Sequence, residues 1–138
     1  MSLSLSDALS HYRHLSDTTH KFWAYFQAIA IGSAAFAWSR NAPGDAPSLQ
    51  LLFAAFLVFA VLNWRLVTAS QSAVVAAARC LKNHASGVVP SVPGDLKPMI
   101  DGIKPDRVIV VGLWHAGLSL ATLGIIGWRY CLLSGNGV

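Results

Sequence analysis

Three residues place hydrogen-bonding or titrating side chains deep in apolar sequence: Gln27, Asn63 and His115. An imidazole can take up a proton near neutrality or ligate a metal, whereas an amide donates and accepts hydrogen bonds without titrating. Gln27 follows Lys21 by six positions, His115 follows Arg107 by eight, and Asn63 precedes Arg65 by two. On helices that run alternately up and down, these spacings bring one polar side chain from each to a similar height. Two chemistries fit such a group. One is a proton relay, quinone or ligand site, since ionisable groups inside a membrane are functional by default. The other is interhelical glue, with amides and a neutral ring holding helices in register. The sequence favours glue. A shuttle needs a second titrating group or a water path, and residues 108–128 contain no Asp, Glu, Lys or Arg.

Other reactive residue types give weaker patterns. His11, His14, Asp17 and His20 follow one another at three-residue steps. Each step falls about 60° short of a full helical turn, so the four spread around half a helix and do not converge on a metal. A haem would need a second axial imidazole opposite His115. The remaining histidines, at 11, 14, 20 and 84, all lie at or beyond the end of an apolar run. Cys80 and Cys131 fall on opposite sides of the expected topology, which excludes a disulfide within the chain and leaves too few ligands for a metal site. No phosphate-binding glycine loop, dinucleotide fingerprint, zinc-protease motif or nucleophile elbow occurs. The expectation is therefore no catalytic residue, no metal and no cofactor.

The elements that position Gln27, Asn63 and His115 are three apolar stretches, at 22–38, 49–66 and 108–128. Apolar residues make up 54% of the 138-residue chain and charged residues 12%, with mean hydropathy +0.52. Soluble domains carry about 25% charge, and about 20 apolar residues in a helix cross a bilayer core of ~30 Å. The expected fold is thus an all-α integral membrane protein. It has transmembrane helices at about 21–40, 49–68 and 107–130 and helical extensions at about 7–20 and 69–83, in a single domain over 1–138. Ser6 or Asp7 caps the first helix, Ser48 the second and Asp106 the third. The stripe Leu66, Val67, Ala73, Val74, Ala77, Ala78 and Leu81 carries the second helix past its apolar run, and the start of helix one is its nearest partner. The segment 84–105 reads as a linker. Within it Leu96, Met99, Ile100 and Ile103 share one face of a short interfacial helix over 95–104, capped by Asp95; an extended loop is the alternative.

Charge placement sets the orientation. Of the ten Lys and Arg residues, eight fall in the N-terminal segment and the long connection, and two, Arg40 and Arg129, fall on the other side. Basic residues are held on the cytoplasmic side during insertion. The N-terminus is expected in the cytoplasm of a bacterial-type inner membrane and the C-terminus outside. The net charge of +4 comes without a basic run or an aromatic platform, so lipid rather than nucleic acid is the expected partner. Ala35-Phe36-Ala37 resembles a signal-peptidase site. The long leading region with Asp7 and Asp17 argues instead for a retained first span.

Small residues four apart permit close backbone approach in lipid. Ala28 with Gly32, Gly112 with Ala116, and Gly117 with Ala121 mark helices one and three as packing faces, toward each other or toward a second copy. Phe53, Phe56 and Phe59 on helix two read as lipid-facing or ring-packed. These features point to a non-enzymatic accessory subunit or homo-oligomer, partnered by itself or by another membrane protein. The alternatives are a pore-forming or membrane-perturbing effector, and a redox or transporter subunit using His115.

Overall fold

The computed structural model describes residues 4–39, 44–86 and 96–135. Among these there are four helices and no strand: α1 Leu5–Trp38, α2 Ala46–Ser86, α3 Leu96–Asp101 and α4 Val108–Gly135. The chain is all-helical, and α2 and α4 are long and apolar enough to cross a membrane. α1 is long enough but less apolar, because Trp23, Tyr25, Gln27 and Trp38 dilute its alkyl side chains. Arg40, where the first helix was expected to end, and Asp95, the expected cap of the short helix, lie outside the described residues.

Local hydrogen bonds move each helix start from its expected position. Ser4, not Ser6 or Asp7, caps α1: its Oγ accepts from the Asp7 amide at 3.2 Å and donates to Asp7 Oδ2 at 2.6 Å. Asp45, not Ser48, caps α2, which begins at Ala46: Asp45 accepts from the Ser48 amide at 3.0 Å and from its hydroxyl at 2.8 Å. Pro47 is tolerated there, in a first turn that has no use for its missing N–H. The two Ser48 bonds hold the Asp45 carboxyl below the ordinary carboxylate range. The cap is therefore fully formed above the ordinary carboxylate pKa and is lost as pH falls through the lowered one. At α4 the carbonyl of Arg107 takes the first bonds, from Val110 and Val111. Asp106 offers its own carbonyl to Gln71 Nε2, at 2.8 Å.

α2 is 41 residues long, about 60 Å at 1.5 Å per residue, twice a bilayer core. Its two halves bury against different partners. Near the α1–α2 turn, Leu49, Phe56 and Ala60 pack with Phe26, Ala30 and Ala37 of α1 and Ile126 of α4. Phe53 and Phe59 lie half-buried beside them, which selects the ring-packed reading of the α2 phenylalanines. At the opposite end, Leu81 and Ala85 meet Leu5, Ala8 and Leu9 of α1, the expected partner, and also Ile100 and Ile103 from the α3 segment. A six-residue helix does not hold alone in water. α3 is held by burial of Ile100 and by Lys82 Nζ, which donates to the Asp101 carbonyl at 3.2 Å. Gly102 closes it, its N–H returning to the Pro98 carbonyl at 3.0 Å.

Side-chain bonds tie the long helices at both ends. Thr19 and Ser70 join α1 to α2 through their hydroxyls. Near the turn, Trp38 Nε1 donates to the Ile125 carbonyl at 3.4 Å and Gln50 Nε2 to the Tyr130 hydroxyl at 2.9 Å. The Arg129 guanidinium sits 5.5 Å above the Trp38 ring. Because Leu81 is the buried centre of the α3 end, Leu81→Ala is expected to cost ~2–4 kcal/mol, as cavity-forming core truncations do. Met99 is exposed on the same small helix, and Met99→Ala is expected to stay within ~0.5 kcal/mol. Thermal unfolding of the two purified variants checks the difference.

Candidate functional site

A buried cluster of polar side chains joins α2 to α4 in the interior of the bundle. Asn63 Nδ2 of α2 lies 3.1 Å from His115 Nε2 of α4. An amide nitrogen can only donate, so Nε2 accepts and the ring proton sits on Nδ1. That proton points to Ser119 Oγ at a long 3.4 Å, and the Ser119 hydroxyl donates to the His115 carbonyl at 2.8 Å. Both ring nitrogens are thus engaged. His115 is 1% exposed and Asn63 8%, so the pairing removes polar groups that would be costly to bury unmet.

Aromatic rings wall the cluster. Phe26 of α1 stacks on the imidazole with centroids 3.9 Å apart and planes at 21°. Trp64 meets it edge-on at 5.6 Å, and Trp23 does so at 6.1 Å. Trp64 fits because Gly112 lies beneath it: a Cβ there would stand 3.3 Å from the indole. α1 therefore supplies a ring face, α2 an amide and an indole edge, and α4 the imidazole with its serine. The arrangement holds three helices together and offers no free ring nitrogen to a metal or substrate.

Of the three residues singled out from sequence, Asn63 and His115 meet and Gln27 does not. Phe26 and Ala30 occupy the inward face of α1. Gln27 is turned about 100° from Phe26 and is exposed, lining the space between α1 and α4 with Trp23 and Trp114. Ser119, overlooked from sequence, was signalled by its position one turn beyond His115. The Phe26 ring could not be assigned without the rotation of α1.

The small residues are also distributed differently from the simplest packing scheme. Gly112 is buried as the seat of Trp64, and Ala116 is half-buried. Ala28, Gly32, Gly117 and Ala121 are exposed, and a Cβ at Gly32 or Gly117 would meet nothing within 4 Å. Within one chain, helices α1 and α4 do not meet through those four residues. His11, His14, Asp17 and His20 are exposed, and among the described residues no three His, Cys, Asp or Glu side chains gather as metal ligands. Cys80 and Cys131 are free and exposed. No family model, curated protein or solved structure matches the chain.

The geometry yields a coupling test. Asn63→Leu and His115→Leu each strand a buried polar partner and are expected to cost ~1–3 kcal/mol. The double variant strands neither partner and should cost less than the sum by ~1 kcal/mol. Additive losses in thermal unfolding would mean the two side chains do not support each other.

Proposed function

We propose that this chain is a three-span membrane protein whose role is structural: a non-enzymatic subunit that assembles with itself or with another membrane protein. The observation that carries the reading is where its large apolar side chains point. Ile31 of α1, Leu51 of α2 and Leu120 of α4 are each at least 70% exposed, and Ile29, Val58, Leu62, Ile109 and Leu113 join them. Large apolar side chains exposed on all three long helices support an interaction with lipid or with another protein. In this reading α1 crosses beside α2 and α4. Its aromatic residues take the headgroup levels, with Trp23 and Tyr25 at one boundary and Trp38 at the other.

Two features support a structural role over a chemical one. His115 has both nitrogens engaged and is enclosed by rings. Between the helices, Phe26, Phe56 and Ile126 pack together in an apolar core. The exposed small faces, Ala28 with Gly32 and Gly117 with Ala121, are free to seat a helix from another molecule, where close backbone approach drives association in lipid. The excess of basic residues at the α3 end supports a cytoplasmic position for that end and the N-terminus in an inner-membrane protein, with the C-terminus outside.

The test has two parts. Alkaline carbonate should leave the protein in the membrane pellet, and a phosphatase reporter fused at the C-terminus should be active while one fused after Asn83 is not. Crosslinking in native membranes should then yield an adduct, identified by intact mass as a second copy or a different protein. Gly117→Leu should reduce that adduct severalfold with the thermal unfolding temperature unchanged. Release by carbonate would overturn the membrane reading. Absence of any adduct would overturn the assembly reading.

A further inference from the structure

Between α1, α2 and the segment leading into α4 lies a cavity of about 330 Å³, at the lower end of the range that holds small ligands. Its walls carry Tyr12, Ser16, His20, Gln71, Lys104 and Asp106. Gln71 already holds the Asp106 main chain, which fixes this wall. Among the described residues no ion pair engages the Lys104 ammonium or the Asp106 carboxylate, although the two lie two positions apart. The cavity does not end there. Trp23, Asp106 and Val111 are shared with a second hollow that runs past Gln27 and Trp114. Gln27 and Leu118 in turn belong to an apolar trough of about 480 Å³, floored by Ala30, Ala34 and Ala121. A cation and an anion thus adjoin, through shared wall residues, an apolar furrow between α1 and α4. From His20 to Ala34 the distance along α1 is about 21 Å.

We propose that this furrow is a binding site for one aminophospholipid, such as phosphatidylethanolamine. The phosphate sits against Lys104, His20 and the Tyr12 hydroxyl, the primary ammonium against Asp106, and one acyl chain along the Ala30–Ala34 trough. The inference rests on the membrane reading above. In that reading Trp23 stands at the headgroup level, so the charged cavity and the apolar trough match the polar and hydrocarbon layers of the leaflet in order and direction. The paired opposite charges select the headgroup. Phosphate alone satisfies Lys104 and leaves Asp106 facing a like charge, as phosphatidylglycerol would. The quaternary ammonium of phosphatidylcholine carries positive charge but no N–H to donate to the carboxylate. A second copy of the chain would cover the trough but has no reason to bring both charges to the cavity.

Native mass spectrometry of the full chain in detergent, titrated with dioleoyl phosphatidylethanolamine, phosphatidylcholine and phosphatidylglycerol, tests the proposal. The wild type should hold phosphatidylethanolamine about tenfold more tightly than the other two, the order of one charge-assisted hydrogen bond. Asp106→Asn should erase the preference over phosphatidylglycerol while lipid binding persists. Lys104→Gln should weaken all three. Ala34→Trp should lower affinity for all three and leave the headgroup ranking intact, since it narrows the trough and not the cavity. Circular dichroism on each variant confirms the helical fold. Equal retention of the three lipids, unchanged selectivity in Asp106→Asn, equally tight binding of soluble phosphoethanolamine, or a lipid-free dimer that excludes lipid would each overturn the assignment. Carbonate extraction is read separately: a protein that stays in the pellet but shows no lipid preference refutes this site and leaves the membrane reading standing.

Discussion

The interaction on which the bundle depends is the bond between Asn63 and His115, made under the Phe26 ring. There a polar group of α2, a polar group of α4 and an aromatic face of α1 come together in the buried interior. Apolar contacts alone leave helices free to slide or rotate by small amounts, since one alkyl surface resembles another. A hydrogen bond between buried groups has no such tolerance: displacement leaves a donor and an acceptor unmet in a medium that cannot hydrate them. Register along the whole bundle follows. With Asn63 level with His115, Phe56 and Ile126 come together above the pair, and Gln71 reaches the Asp106 carbonyl below it.

The length of α2 has consequences of the same kind. A helix twice as long as a bilayer core must bury its surplus against something, and the surplus here carries a clean apolar stripe ending at Leu81 and Ala85. α1 begins early enough, at Leu5, to cover one side of it, and the short α3 covers another. The two ends of the molecule therefore differ. The turn end is locked by Arg129 over the Trp38 ring and by the Gln50–Tyr130 hydrogen bond, whereas the α3 end is a small helical core with hydrophilic edges. On the membrane reading that second core stands out of the bilayer and brings Lys104 and Asp106 to the mouth of the α1–α4 furrow.

Much of this was legible in the residues. Apolar run length and the continuation of the stripe from Val67 to Leu81 defined the long helices, including the reach of α2 beyond its apolar segment. The i+3 and i+4 spacing around Ile100 left a short helix over 95–104 and an extended loop both open, and the structure has a helix over Leu96–Asp101. Helix starts were misplaced by one to three residues because Ser, Asp and proline near each terminus offered competing caps, and only the three-dimensional turn decides which oxygen reaches the free amides. The polar cluster was half legible. Depth can be counted along a helix from its basic end, which paired Asn63 with His115. Rotation of one helix against its neighbours cannot be counted that way. The rotation of α1 is set by Phe26, Ala30 and Ala37 packing inward, and it turns Gln27 out of the cluster into the furrow. Small-residue spacing has the same ambiguity: it identifies faces that permit approach, and here Gly112 accepts a ring from its own chain while Gly117 accepts nothing.

The central claim is that His115 is a fixed, neutral hydrogen-bonding element shared by the helices. Solution or solid-state NMR of ¹⁵N-histidine-labelled protein at neutral pH reads this directly from the two ring nitrogens of His115. The expected result is a single neutral tautomer with the proton on Nδ1, and an unprotonated Nε2 correlated with the Asn63 side-chain amide. A protonated imidazolium, or the Nε2–H tautomer with no correlation to Asn63, would contradict it.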